Sequence, residues 1–279
     1  MTSLKTPRLT FITLIIGLLF LYLPLLILIF YSFNASRLVT VWGGFSAQWY
    51  GELFQDEQLM NAVWRSLQIA FYNACTAIIL GTMAAFIIVR YQQFRGKTLF
   101  SSMVTAPLIM PDVITGLSLL LLFVSLANLI GWPAERGMST IWIAHVTFST
   151  AYVAVVIRSR LQEIDHSIEE AAMDLGATPA KTFFLITIPS IFPALAAGWL
   201  LAFTLSLDDL VIASFVSGPG ATTLPMVVFS SVRLGISPKI NALASLIILM
   251  VSLIAFIGWW IMRRTEKERI ANLSRFNTE

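Results

Sequence analysis

Three carboxylates interrupt stretches of the chain that otherwise carry no charge. Asp112 lies in the run 98–134, and Asp208 and Asp209 lie in the run 182–232. A carboxylate in an apolar surrounding costs at least about 2.5 kcal/mol, and neither run contains a basic side chain to pair with it. An external cation could balance the charge. The alternatives are a helix cap for Asp112 and interfacial water around Asp209.

Aromatic side chains could add cation–π contacts to such a site. Trp199 lies four residues before Phe203 and seven before Ser206, so the three can share one helix face. Trp49, in the loop 33–65, is explained equally well as an anchor at a membrane interface. The candidate contacts of a cationic substrate are therefore Asp208, Asp209, Asp112, Ser206, Trp49, Trp199 and Phe203.

Catalytic motifs are absent from the sequence. It has no G-x-x-x-x-G-K-[ST] phosphate loop and no H-E-x-x-H pair, and two His and one Cys do not favour a zinc site. His145, inside an apolar run, is better explained as a packed histidine bonded to a neighbouring helix than as a ligand. We therefore expect a protein that is not an enzyme and holds no metal or cofactor, with any nucleotide bound by another chain.

The composition places the chain in a lipid bilayer. Apolar residues make up 57% of the 279 residues and charged residues 12%, against about 45–50% and 25% in soluble domains. These numbers exclude a soluble globule, a disordered chain and a nucleic-acid-binding protein. A single cysteine, Cys75, excludes an intrachain disulfide.

The uncharged runs predict the spanning helices, because a hydrocarbon core needs about 20 apolar residues. We expect six, near 9–32, 66–89, 100–127, 138–157, 190–212 and 240–262. The first is too long for a cleaved signal peptide and is expected to stay as an anchor. After the fifth span, Gly218-Pro219-Gly220 and Pro225 break helices. That segment is predicted to be bent or half inserted, outside the membrane core.

The distribution of basic residues predicts the orientation. With the N-terminus in the cytoplasm, 13 of the 18 Lys and Arg residues fall in cytoplasmic pieces. This is the bias that membrane proteins show, so both termini are expected in the cytoplasm. The fold class is then an all-α, polytopic membrane protein, with residues 1–279 forming a single transmembrane domain.

The predicted cytoplasmic loop 158–189 carries the strongest local pattern. Ser167 followed by Glu170 is a capping box that starts a short helix ending at Leu175. Gly176 supplies a left-handed stop, and Thr178-Pro179 restarts a second helix as cap and first residue. The sequence therefore predicts a short helix held on a tight bend beside the membrane.

The same loop resembles a known motif. Glu170-Ala171-Ala172, three residues, Gly176, nine residues and Ile186-x-Ile188-Pro189 resemble the EAA loop of ABC importer permeases, with Ile188 where that family has Leu. The stretches 106–116, 203–209 and 214–220 resemble the polyamine (putrescine/spermidine) branch. The chain is thus identified as a member of the type I importer permease family.

The resemblance implies a MetI-like core over about residues 60–265, in the bacterial inner membrane. It implies that the short helix docks on an ATPase through Glu170, Ala171, Ala172, Asp174, Leu175 and Gly176. It also implies partners: two ATP-binding subunits, a second, related permease and a periplasmic polyamine-binding protein. ATP would be bound by the ATPase partner, and no nucleic acid is involved.

Function classes other than a polyamine importer stay open at this point. A stand-alone secondary transporter or cation channel would also use inward carboxylates and proline-broken helices, but it leaves the capped loop unexplained. An ABC permease for another small solute would share the loop. An intramembrane enzyme lacks a convincing nucleophile or metal constellation.

Overall fold

The structure is a computed structural model that describes residues 8–38, 41–91, 93–165, 167–234, 237–253, 256, 260 and 263. Helices account for nearly all of the described residues. One isolated β-bridge joins Asn34 to Phe45. The predicted all-α class is therefore confirmed.

Twelve α-helices are named here in chain order. They are α1 (Arg8–Tyr31), α2 (Gln48–Gln55), α3 (Glu57–Arg90), α4 (Lys97–Thr105), α5 (Asp112–Ile130), α6 (Met138–Glu163), α7 (Ser167–Asp174), α8 (Pro179–Thr182), α9 (Ile188–Asp208), α10 (Val211–Val216), α11 (Leu224–Leu234) and α12 (Pro238–Leu253). A π-helical segment, Phe183–Thr187, joins α8 to α9 without a break. Together they form one helical stretch, Pro179–Asp208.

Within the part of the chain that the structure describes, five helical stretches are long and apolar enough to cross a membrane. They are α1 from Thr10, α3, α5, α6 and the stretch Pro179–Asp208. The sixth predicted span, 240–262, coincides with the shorter helix α12 and then runs into residues outside the described set. The count of six spans therefore stays a prediction.

The third predicted span, 100–127, is not one helix. α4 ends at Thr105, a 3₁₀ turn covers Ala106–Leu108, and α5 begins only at Asp112. Pro107 and Pro111 cause the break, because proline has no N–H to donate to the preceding turn. The predicted single helix is therefore wrong. Hydropathy alone does not reveal such an interruption, because the residues around the break are as apolar as the helices.

The fifth span also ends earlier than the expected residue 212. α9 stops at Asp208, and the backbone is extended at Asp209 before α10 begins. The placement of the following segment, with Gly218-Pro219-Gly220 and Pro225, outside the membrane core stays a prediction. α10 itself is a separate short helix within the bundle. Its residues Ile212, Ala213 and Val216 are fully buried, and the helix packs between α5 and α6. Six mostly apolar residues are more stable there than in contact with water.

Contacts divide the chain into two compact units, and the larger one comprises Gln58–Phe229. α6 is its central helix, with Ile141 and Phe148 packed among Ile69, Phe123 and Ile212. α3 approaches α6 closely at Gly81, where an added Cβ would overlap the side chain of Val153. A glycine there allows the two helices to touch backbone to side chain.

The smaller unit combines Met1–Glu57 with Ser230–Glu279. Asn34 organises the loop after α1, because its side chain binds the backbone of Ser36, Val41 and Gly43. Lys239, at the start of α12, pairs with Asp56 at 3.5 Å. The prediction that residues 1–279 form a single transmembrane domain stays a prediction.

Candidate functional site

The loop after α6 forms the predicted helical hairpin. α7 ends at Asp174, and Gly176 follows in the left-handed region with φ +89°. The amide of Ala177 donates to the carbonyl of Ala172 at 3.0 Å, which closes the helix end. Thr178 then caps α8 by accepting from the amide of Lys181. The predicted stop and restart are therefore confirmed.

The start of α7 differs from the prediction. The helix begins at Ser167, so this residue lies in the first turn and not at the cap. Its amide donates to Oδ1 of Asp165 at 2.9 Å. The predicted Ser167–Glu170 capping box is wrong in this respect, because an aspartate two residues upstream caps the helix.

Most of the predicted coupling residues are exposed on α7 and the bend. Glu170, Ala171, Asp174, Leu175 and Gly176 are exposed, whereas Ala172 is buried. Leu175 is 90% exposed, although it is a large apolar residue. Beside this helix lies an open cavity of about 660 Å³ whose charged lining residues are Arg90, Lys97, Arg158 and Glu170.

A buried ion pair anchors α7, and the sequence reasoning missed it. Oε1 of Glu169 accepts from Nη2 of Arg90 at 2.8 Å and from the hydroxyl of Thr187 at 2.7 Å. The side chains of Arg90 and Glu169 are only 10% and 6% exposed. This carboxylate therefore ties α7 to the end of α3 and to the segment that leads into α9. The one feature of the sequence that could have indicated this ion pair is the second glutamate, Glu169, next to Glu170.

The structure separates the three candidate carboxylates. Asp208 is exposed at the end of α9. Asp112 is exposed in the first turn of α5, at the break in the third span. A negative charge at this position is stabilised by the helix dipole. Asp209 is mostly covered, with a side chain that is 9% exposed.

Asp209 belongs to a network that joins α6 to the junction between α9 and α10. Its Oδ2 lies 3.1 Å from Nε2 of His145 and 2.7 Å from the amide of Ala213. Nδ1 of His145 lies 2.7 Å from the hydroxyl of Ser206. His145 is fully buried and Ser206 is 5% exposed. The expected packed histidine is thus present, with Ser206 and Asp209 as its partners.

Ser206, His145 and Asp209 form a Ser–His–Asp string, which raises the enzyme alternative again. A serine nucleophile needs a free approach to a substrate carbonyl and a nearby oxyanion site. Here the serine is buried against the histidine, and the aspartate caps α10 through the amides of Ile212 and Ala213. The string therefore holds helices together and offers no accessible nucleophile.

The candidate aromatic residues lie against other helices. Trp199 stacks on Phe203 at 5.3 Å between ring centroids, and its indole N–H donates to Sγ of Cys75 on α3. Trp49, in the smaller unit, is 3% exposed and donates to the carbonyl of Asn34 at 2.6 Å. All three aromatic residues therefore have structural contacts of their own, and their role in a substrate path stays a prediction.

One family model decides what kind of protein this is. It describes the inner membrane component of binding-protein-dependent transport systems, and it matches residues 77–270. The chain belongs to this family. The predicted membership among importer permeases and the location in the inner membrane are therefore confirmed.

Individual relatives of this permease agree with the family. The putrescine transport system permease protein PotI of Escherichia coli strain K12 is 66% identical over 264 residues, covering 95% of this chain and 94% of the relative. The spermidine/putrescine transport system permease protein PotC of the same strain is 40% identical, covering 88% and 90%. The resemblance to the polyamine branch is thereby confirmed.

The fold of this permease also matches a solved structure. A bacterial ABC transporter involved in the import of the acidic polysaccharide alginate superposes with a TM-score of 0.68, at 17% identity, covering 94% of this chain and 99% of the other. The predicted ABC importer permease fold is confirmed. A stand-alone secondary transporter, the main rival class, has no support in these matches.

Proposed function

We propose that this permease moves polyamines, with putrescine as the main cargo, into the cytoplasm by alternating access. The similarity to a putrescine permease at 66% identity over 95% of the chain carries this proposal. The 40% identical relative, a spermidine/putrescine permease, supports the wider cargo class. A permease for a different small solute is the competing function within the same family.

The same proposal includes the partners. We infer a complex with two ATP-binding subunits, a second, related permease and a periplasmic polyamine-binding protein, embedded in the lipid bilayer. The family description, which names binding-protein-dependent transport, supports this arrangement. In this scheme ATP is bound and hydrolysed by the partner subunits, so this chain is not an enzyme and needs no cofactor.

We propose that α7 is the docking element for an ATP-binding subunit. Leu175 is 90% exposed and lies beside Asp174 and Gly176, which are also exposed. The apolar side chains of Ile168 and Met173 in α7 are exposed as well, and apolar side chains that are exposed together are typical of protein–protein contacts. A groove on the partner would cover Leu175. The rigid bend at Gly176 supports this role, because it fixes the direction in which α7 points.

We propose that Asp208 contacts the cation during passage. At about 100° per residue, Asp208 lies on the side of α9 opposite Ser206, which faces α6. The carboxylate is therefore exposed on the face that the network leaves open. An ammonium end of putrescine would supply the opposite charge, and Asp112 at the helix break is the second candidate.

The experiment measures uptake of labelled putrescine by the assembled complex in proteoliposomes, normalised to the amount of complex. Asp208→Asn keeps the size of the side chain but loses a charge-assisted hydrogen bond worth about 1.5–3 kcal/mol. Uptake should fall about 10- to 100-fold, and Asp208→Glu should keep part of it. Thr204→Val, one turn earlier on the same exposed face, is the matched control and should transport normally.

Three outcomes separate the candidates. No putrescine uptake by the wild-type complex, with uptake of another solute, would favour the competing function. Normal uptake per complex in Asp208→Asn would remove this residue from the substrate path. Lower abundance of Asp208→Asn with normal uptake per molecule would assign the carboxylate a structural role.

A further inference from the structure

Asp209 is held from three directions, whereas its neighbour Asp208 is exposed. Oδ1 of Asp209 accepts from the amide of Ile212 at 3.3 Å, and Oδ2 accepts from the amide of Ala213 at 2.7 Å. Nε2 of His145 is the third contact, at 3.1 Å from Oδ2. Two carboxylates that are adjacent in the chain therefore have different surroundings.

Both ring nitrogens of His145 have a hydrogen-bond partner. A carboxylate oxygen accepts hydrogen bonds, so Nε2 is the nitrogen that donates to Asp209. Nδ1 lies 2.7 Å from the hydroxyl of Ser206, which can donate or accept. Since both ring nitrogens have partners and the ring is fully buried, the imidazole can hold Asp209 in one place.

We propose that His145 is a positioning residue that keeps Asp209 out of the substrate path, so that Asp208 is the carboxylate that a cation meets at this end of α9. The role of Asp208 rests on the proposed function above, but the withdrawal of Asp209 does not. With His145 in place, this junction presents one accessible carboxylate to an ammonium group instead of two.

The positioning is tested by labelling carboxylates in the assembled complex in nanodiscs. A water-soluble carbodiimide with ethylenediamine couples to accessible carboxylates, and peptide mass spectrometry measures each site. In the wild type, Asp208 should be labelled at least about tenfold more than Asp209, because the bonded carboxylate is shielded. His145→Asn can still reach Ser206 but is too short for Asp209, so labelling of Asp209 should rise several-fold.

Two further variants control for changes in packing. His145→Gln is long enough to keep the bond to Asp209, so Asp209 should stay protected. Ser149→Ala lies one turn along α6 and removes the hydrogen bond that Ser149 accepts from Asn73. That bond involves neither His145 nor Asp209, so protection should again persist. Equal labelling of Asp208 and Asp209 in the wild type would overturn the proposal. So would a rise of Asp209 labelling in Ser149→Ala as large as in His145→Asn.

A transport measurement adds a readout that a purely structural role would not produce. In the Asp208→Asn background, His145→Asn should restore putrescine uptake several-fold, because the released Asp209 can supply the missing charge. A structural role predicts that the double variant is equally or more defective, which would refute the proposal. If the wild-type complex takes up no putrescine, the proposed cargo fails while the labelling experiment still decides the role of His145.

Discussion

Glu169→Gln removes the charge that ties α7 to the rest of the larger unit. The glutamate is 5% exposed and accepts at one oxygen from both Arg90 and Thr187. Glutamine keeps the shape and can still accept from Thr187. It leaves the guanidinium of Arg90, which is 10% exposed, buried without its counter-charge.

The expected cost follows from that burial. Removing one partner of a buried ion pair costs about 3–5 kcal/mol, because the remaining charge is left uncompensated. A free energy of this size changes the equilibrium between packed and detached α7 by about two to almost four powers of ten. α7 has only 8 residues, so it can detach from Arg90 while the long helices stay folded. ATP hydrolysis by the partner would then lose its connection to the membrane helices.

The assay compares ATP hydrolysis and putrescine uptake by the full complex, with and without the binding protein. We expect Glu169→Gln to lower coupled uptake about tenfold or more, with normal insertion of the chain. The matched control is Glu163→Gln, which breaks an ion pair with Arg160 at the same distance of 2.8 Å but with side chains 43% and 61% exposed. An exposed pair is worth about 0–1 kcal/mol, so this control should behave like the wild type.

A double variant tests the physical reason. Glu169→Gln combined with Arg90→Gln removes both charges, so no buried charge is left unpaired. It should be less defective than either single variant. Defects that simply add, or equal behaviour of Glu169→Gln and Glu163→Gln, would refute the role of the buried pair in holding α7.

Two further predictions concern the hairpin and its side of the membrane. Gly176→Val should strain the left-handed turn by about 1–2 kcal/mol and change the direction of α7. We expect the variant chain to insert into the membrane but to recruit or stimulate its ATPase poorly. Normal recovery of the ATPase in a pull-down, together with normal transport, would contradict this. In a Cys75→Ala background, Asp174→Cys should not react with an impermeant thiol reagent that is applied to intact cells. The reason is the bias of Lys and Arg, which predicts that this loop lies in the cytoplasm. Labelling from the periplasm would overturn the predicted orientation.

The local features of the hairpin could be read from the sequence because neighbouring residues cause them. A glycine adopts the left-handed region that ends α7, and Thr178-Pro179 starts the next helix from its own side chain and ring. The other long spans, α1, α3, α6 and the stretch that ends with α9, were predictable for a similar reason. Each depends on the absence of charge over about 20 residues, which is a property of one segment.

The errors arose where a local signal was ambiguous. Hydropathy does not register a proline break, so the third span was predicted as one helix although α4 ends at Thr105 and α5 starts at Asp112. The capping box was assigned to Ser167 because its motif was complete, yet Asp165 competes for the same amide. Choosing between such options requires the path of the backbone at the start of α7.

What the sequence determined by itself is the class of the protein: a helical chain for a bilayer, with one capped loop of the importer-permease type. The tertiary structure decided which charged groups are free. Glu169 meets Arg90 across 79 residues of chain, and Asp209 meets His145 across 64. No local pattern encodes these pairings, because they exist only where packed helices bring distant side chains within hydrogen-bonding distance. Asp208 is one residue from Asp209, yet it stays exposed because α9 ends there and turns its side chain away from α6.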